Sequence, residues 1–281
     1  MTLDRYALHV ITDADAPGFS PDDYSYFKYG DDAVARRFGE ALAQGFIRDR
    51  LDGRYDGTQL VVLSSPYSFI PTATFALKRH FVRVLNRWLA ERELPVVQES
   101  KIHRTVTYKE DYGALSAAER LRLISGDRFQ LDSPFLRDKQ LIFLDDIRIT
   151  GSHERMILRT ATEYALTNRA FLLYFAELAD DRVDPTYENF LNYHAIREPE
   201  DLFPLLRSDR FVINTRVTKF VLNVPPAVFR SFIGRCTAAF RAELYDQAIG
   251  NGYHTLPAYA VNLRWLRQYY LTPETTHLHG H

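Results

Sequence analysis

The stretch Leu141-Ile142-Phe143-Leu144-Asp145-Asp146-Ile147-Arg148-Ile149-Thr150-Gly151-Ser152-His153 decides the fold and changes character twice along its length. Four apolar residues in a row read as a strand buried on both faces. Two carboxylates stand at its carboxyl end, which is where open α/β sheets bind their ligands. At a strand terminus both acids can reach the crevice, although successive side chains point opposite ways. Carboxylates accept charge-assisted hydrogen bonds from paired hydroxyls, and they hold Mg²⁺, usually through water. The loop Ile149-Thr150-Gly151-Ser152 then opens a helix. Gly151 permits close backbone approach, and the first amides of the helix point at an anion. Thr150 and Ser152 add hydroxyl donors. A ribose between the acids, with its phosphate at the helix start, satisfies every part of the segment.

The flanking sequence repeats the alternation of strand and helix. Gln59-Leu60-Val61-Val62-Leu63 reads as a second buried parallel strand. The polar loop Ser64-Ser65-Pro66-Tyr67-Ser68-Phe69-Ile70-Pro71 follows, then a helix with Leu77, Phe81, Val84, Leu85, Trp88 and Leu89 on one face. Pro95 ends it, and Val96-Val97 reads as the next strand. After the central segment, residues 145–152 read as a turn and 153–167 as a helix with Met156, Ile157, Ala161 and Tyr164 inward. Ala170 to Phe175 is a further strand. Asp31 or Asp32 caps an earlier helix whose apolar face is Val34, Phe38, Leu42 and Phe46. The order predicts an α/β fold: a parallel sheet flanked by helices, with right-handed crossovers.

Past residue 180 the pattern shifts. Asp184-Pro185 reads as a helix start. Phe211-Val212-Ile213 through Phe220-Val221-Leu222 reads as a strand-like run before Pro225-Pro226. Val228, Phe232, Cys236, Phe240 and Leu244 then recur every four residues, as on one helix face. The reading is therefore a core over residues 1–180 and a mostly helical extension, or hood, over 181–281, without a flexible linker between them.

Composition narrows the function classes. Of 281 residues 46% are hydrophobic and 25% charged, with a formal net charge of −1. That is ordinary for a globular protein with a substantial core, and it provides no global field toward nucleic acid or acidic lipid. The one cysteine, Cys236, excludes an intramolecular disulfide and reads as a buried thiol. No apolar run approaches the ~20 residues needed to cross a bilayer, and Met1 to Arg5 lacks the features of a signal peptide. The expectation is a soluble, cytoplasmic protein. Three histidines, His277, His279 and His281, read as a disordered terminus rather than a metal site.

An apolar strand, Asp145-Asp146, three residues and then Thr150-Gly151 resembles the phosphoribosyl pyrophosphate signature of the type I phosphoribosyltransferases. The resemblance spans residues 25–180, with residues 141–153 carrying the specific motif. It implies that Asp145 and Asp146 hold the ribose hydroxyls and Mg²⁺, directly or through water. It also implies that Ile149, Thr150, Gly151, Ser152 and His153 cradle the 5-phosphate. Ser152 stands where Gly is common and His153 where Thr is frequent. Ile149 is apolar where 6-oxopurine enzymes carry an acidic general base, which argues against that mechanism here. Two further parts are implied. Ser64, Ser65, Tyr67 and Ser68 fit a pyrophosphate loop, or a plain turn. Residues 101–113 fit a mobile basic loop in which Lys101, Arg104 and Lys109 are the candidate catalytic cations, or an exposed hairpin. Phe27-Lys28-Tyr29-Gly30 resembles a segment near the start of several phosphoribosyltransferase-like proteins. A turn before the capped helix is the preferred reading, and Lys28 beside the site is the other. The C-terminal part is similar to that of a bacterial phosphoribosyltransferase-like group associated with tellurium-resistance and stress gene clusters.

The function expected from this resemblance is transfer of phosphoribose from phosphoribosyl pyrophosphate, with Mg²⁺, to a nitrogenous acceptor such as a base. The alternative is a catalytically altered regulatory protein that binds phosphoribosyl pyrophosphate or a nucleotide. A phosphoryl-transfer enzyme with Asp145 as nucleophile or metal ligand is disfavoured, because position 147 is Ile and Thr150-Gly151 would be left unexplained. A homodimer is compatible with such a sheet, and nucleic acid is not an expected partner.

Overall fold

The central segment forms the middle of a five-stranded sheet. In the computed structural model, which describes residues 1–104, 129–179, 183–184 and 186–271, β1 (Thr2–Ile11), β2 (Leu60–Ser64), β3 (Gln98–Ser100), β4 (Gln140–Arg148) and β5 (Arg169–Leu178) are arranged in the order β1-β5-β4-β2-β3. Every pairing is parallel. A small antiparallel pair, His103–Arg104 with Phe129–Gln130, stands apart from the sheet.

Period two of the strands divides the sheet between two layers. Ile142 and Leu144 join Leu60, Val62, Phe171, Leu173 and Phe175 beneath α2 (Asp32–Phe46) and α3 (Ala73–Ala90), preceded in the chain by α1 (Pro21–Lys28). Leu141 and Phe143 join Val61, Leu63, Leu172 and Tyr174 beneath α4 (Ser152–Glu163). A strand covered on both sides has no polar face, which is why residues 141–144 are apolar without alternation.

Several boundaries differ from the sequence reading. β4 does not turn at Asp145 but runs on to Arg148, because β5 continues to pair with it through Asp145↔Tyr174, Ile147↔Ala176 and Arg148↔Glu177. The strand read at Val96-Val97 begins at Gln98. β1 escaped the reading altogether. It is an edge strand whose residues mix charge and apolarity, and among the described residues it pairs only with β5.

Beyond β5 come α5 (Tyr187–Asn192), α6 (Thr215–Leu222), α7 (Pro226–Gly234), α8 (Ala238–Gly250) and α9 (Pro257–Leu266). The run 211–222 is therefore corrected from strand-like to helical over residues 215–222. Asn214 caps it, its side chain accepting from the Val217 amide at 3.0 Å, and apolar residues serve a buried helix as well as a strand. The helix expected from Val228 to Leu244 is two helices. The chain breaks between Gly234 and Ala238, where Thr237 caps α8 by accepting from the Phe240 amide. α5 starts at Tyr187, two residues after Pro185, which lies outside the described residues.

α6 to α9 share a core that includes Val217, Phe229, Phe232, Leu244 and Leu263, and Tyr29 and Ile70 from the sheet region are fully buried in it, whereas Tyr187 and Leu191 of α5 pack into the sheet-side core. At Gly30 (φ +94°) the chain crosses so close that an added Cβ would lie 2.2 Å from the Val212 carbonyl oxygen. The Val212 amide donates to the Gly30 carbonyl, and the Asp32 amide to that of Arg210, each at 2.9 Å. Among the described residues no helix is long and apolar enough to cross a membrane.

Candidate functional site

From β2 the chain passes through α3 to β3 on one side, whereas from β4 it passes through α4 to β5 on the other. Between β2 and β4 the connections diverge, and such a switch point leaves a crevice at the carboxyl ends of the strands. Ser64 and Ser65 end β2 at this crevice, and Asp145 and Asp146 face it from β4. The Ser65 hydroxyl donates to Asp145 Oδ1 at 2.6 Å.

Strand alternation sends the two acids to different layers. Asp145 lies on the α4 side, where His153 in the first turn of that helix places Nδ1 2.6 Å from Oδ2. Asp146 lies on the α1 side, where Lys28 forms an ion pair with Oδ2 and the Tyr24 hydroxyl donates to the same oxygen at 2.9 Å. Thr74, at the start of α3, has its hydroxyl 3.4 Å from Asp145 Oδ1 and 3.3 Å from Asp146 Oδ1. Burial pushes the Asp145 carboxyl up, but His153 and the hydrogen bond from Ser65 outweigh it and hold the group well below the usual carboxylate range. Burial and Asp146 together push the Tyr24 hydroxyl well above its ordinary value, so it remains a donor.

Gly151 caps α4 in the left-handed conformation (φ +66°). The Thr150 and Ser152 hydroxyls lie 2.7 Å apart, and Arg155 donates to the Thr150 carbonyl and to Ser152 Oγ, each at 2.9 Å. Beneath the loop, Arg148 bonds Glu154 and Glu177, and Arg5 of β1 reaches the same two carboxylates. This network fixes the start of α4 to three strands. The Arg148 guanidinium also lies directly under Gly151, 3.0 Å from where a Cβ would stand. Ile149 is half-buried against the main core. The cradle thus offers helix amides, two hydroxyls and the nearby Arg155 cation, a fitting receptor for a phosphate.

Of the other expected residues, Lys101 contacts Tyr67 and Ser68 of the loop after β2. Tyr67 packs edge-on against Phe75 at 5.3 Å between ring centroids, and Lys101 stands 4.4 Å over the Tyr67 ring while donating to the Ser68 carbonyl at 3.2 Å. Arg104 sits in the small antiparallel pair, and Lys109 lies outside the described residues. The sequence reading missed Tyr24, Thr74 and Arg155, and it preferred a plain turn at Lys28. Lys28 instead ends α1 with its ammonium on Asp146. Only the likeness of Phe27-Lys28-Tyr29-Gly30 to related proteins signalled this. Arg155 was detectable in principle, as a cation one turn into a helix that opens on a phosphate-type loop.

Magnesium fits this donor set in one manner. Among the described residues there is no group of three or more His, Cys, Asp or Glu side chains placed to hold a metal. Direct ligation by Asp145 or Asp146 would set the metal beside a basic group that already holds Oδ2 of the same carboxylate, His153 or Lys28. A cation carried on ligand oxygens and touching the acids through water stands farther from both basic groups.

Structural likenesses to solved proteins are distant. The chain is similar to hypoxanthine phosphoribosyltransferase from Staphylococcus aureus, with 12% identity and a TM-score of 0.31 over 53% of this chain and 75% of that one. A mutant of the Trypanosoma cruzi hypoxanthine phosphoribosyltransferase, complexed with its product IMP, gives 14% identity and a TM-score of 0.31 over 53% and 76%. No curated protein matches the chain. The sequence itself settles the grouping: residues 2–266, from β1 to the end of α9, match a single family along almost the whole chain, and this protein belongs to the PRTase ComF-like family.

Proposed function

We propose that the chain binds phosphoribosyl pyrophosphate with Mg²⁺ and transfers its phosphoribose to a nitrogenous acceptor. The observation that carries this reading is the convergence of Asp145, Asp146 and the Gly151 cradle at the switch point of the sheet. The ribose hydroxyls would donate to the acids, and the 5-phosphate would lie at Thr150, Gly151, Ser152 and the α4 amides. Ser64, Ser65, Tyr67 and Ser68 would face the pyrophosphate, with Lys101 beside them and Arg104 and Lys109 as further cations. In the transfer the C1–O bond breaks and its electron pair leaves on pyrophosphate. The acceptor nitrogen contributes its lone pair to the new C1–N bond and gives up its proton to solvent. Bound Mg²⁺ would neutralise charge on the leaving pyrophosphate.

A second reading is a regulatory protein that binds phosphoribosyl pyrophosphate or a nucleotide without transfer. The observation favouring it is that both acids already carry basic partners, Lys28 and His153. Calorimetric titration of phosphoribosyl pyrophosphate, with and without Mg²⁺, tests the shared core of the two readings. Saturable binding is expected, and the double variant Asp145→Asn/Asp146→Asn should weaken it by about tenfold or more. Pyrophosphate release with any of a panel of bases then separates enzyme from sensor. Folded wild-type protein that takes up no phosphoribosyl pyrophosphate would remove both readings.

A further inference from the structure

Lys28 is not placed like a surface lysine. Only 8% of it is exposed, and its partner Asp146 is 6% exposed. Its backbone is held on both sides: the Asn214 amide side chain, itself buried, donates to the Lys28 carbonyl at 3.1 Å, and Gly30 is locked against Val212 two residues later. The ammonium lies 5.6 Å from the centre of the Tyr24 ring, whose hydroxyl shares Asp146 Oδ2 with it. A buried ion pair of this kind resists exchange, because removing one partner leaves an uncompensated charge in a poorly solvated place.

Resting on the ribose-phosphate reading above, we propose that Lys28 is the resident cation of the acid pair, so that a ribose 5-phosphate moiety is held there without a divalent metal. Two carboxylates side by side would otherwise repel each other and attract a metal ion. Here Lys28 balances Asp146, and His153 hydrogen-bonds Asp145. The neutral hydroxyl face of a ribose needs acceptors, and carboxylates paired in this way still provide lone pairs. An ammonium also has further N–H groups to offer a sugar oxygen. The phosphate has its own receptor in Gly151, Thr150, Ser152 and Arg155. Both halves of the ligand are therefore served by groups of the chain itself.

The test uses ribose 5-phosphate, which lacks a pyrophosphate to carry metal, and Mn²⁺ alone. Wild-type protein is expected to bind ribose 5-phosphate in EDTA within about threefold of its affinity in Mg²⁺, because no metal is needed at the acids. Lys28→Met should lose about tenfold or more in EDTA and regain binding with a divalent metal, whereas Lys28→Arg keeps the cation and the metal independence. Mn²⁺ resonance spectra should show no saturable site in wild type and a new one in Lys28→Met. The variant Lys28→Met/Asp146→Asn removes both charges, avoids a stranded carboxylate, and should bind ribose 5-phosphate weakly with or without metal. It decides the matter if Lys28→Met fails to fold, since wild-type affinity in EDTA from the double variant would overturn the proposal. Wild-type binding of ribose 5-phosphate only with metal, alongside normal uptake of phosphoribosyl pyrophosphate with Mg²⁺, overturns this inference and leaves the ribose-phosphate reading standing. Failure of phosphoribosyl pyrophosphate to bind with Mg²⁺ removes both.

Discussion

Asp145 and Asp146 are neighbours in the chain but belong to different layers, one facing α4 with His153, the other facing α1 with Lys28 and Tyr24. The consequence can be measured through Asp145. Its folded carboxyl is held below the ordinary range, because His153 and Ser65 outweigh the effect of burial. A group depressed in this way stabilises the fold fully above the unfolded value, about pH 4. That contribution drains away as pH falls toward the folded value. The urea midpoints of wild type and Asp145→Asn should therefore differ by a constant amount down to about pH 4 and converge below it. A gap that persists unchanged to pH 3 would remove the His153–Asp145 pair as a source of stability. At this scale the sequence revealed what is local. Asp145, Asp146, Thr150, Gly151 and Ser152 stand within one strand–turn–helix passage whose flanks announce it. Tyr24, Lys28 and Thr74 reach the acids from 122, 118 and 72 positions away, and no periodicity links residues so separated.

Among elements, the loop after β2 is held less by the sheet than by the C-terminal helices. The side chain of Asn251, which ends α8, accepts from the amides of Phe69 and Ile70 at 2.9 and 3.0 Å. Thr215, at the start of α6, donates its hydroxyl to the Ile70 carbonyl at 2.8 Å. Phe69 lies against Gly250, where an added Cβ would be 2.2 Å from its ring. The loop proposed to face pyrophosphate is thus positioned by the helical region. Asn251→Ala removes one acceptor that serves two amides, at a cost of about 1–3 kcal/mol. Hydrogen exchange at Phe69 and Ile70 should accelerate by about tenfold or more, while Asn251→Asp, which keeps an acceptor, should not accelerate it. Unchanged exchange in Asn251→Ala would show that the Thr215 bond and the packing of Phe69 and Ile70 hold the loop without it. Elements were readable where one physical cause dominated. β2, β4 and β5 are buried on both faces, so their apolar runs are unambiguous. β1 mixes exposed charge with half-buried apolar residues, and α6 is apolar enough to pass for a strand. The spacing of four from Val228 to Leu244 continues through the break at Arg235–Thr237, because Cys236 packs into the same core between the helices.

At the scale of the molecule, the helical core is joined to the sheet-side core by Tyr29 and Ile70 buried within it and by the Gly30–Val212 crossing, beside the bonds from Asn214, Thr215 and Asn251. The change of pattern near residue 180 marks the shift to helices, but no sequence period discloses that a residue near position 30 locks onto one near 212. The two tryptophans report on the two cores separately. Trp88 of α3 packs against the sheet-side core, and Trp265 of α9 against the helical one, edge-on to Phe229. Wild-type backgrounds carrying Trp88→Phe or Trp265→Phe should therefore unfold in urea with coincident fluorescence midpoints, as one cooperative unit. Gly30→Ala forces a left-handed φ on a residue with a Cβ and drives that Cβ into a carbonyl oxygen. It should lower both midpoints together, by on the order of 2 kcal/mol or more. If only the Trp265 signal shifts, the helical region melts by itself and the crossing does not couple the cores. In that case Asn214 would no longer hold the Lys28 backbone once the helices loosened, and the ion pair at Asp146 should weaken at the lower of the two midpoints. If both signals shift, the geometry of the acid pair depends on the fold of the entire chain, since Lys28 is held from α6 and its carboxylate from β4.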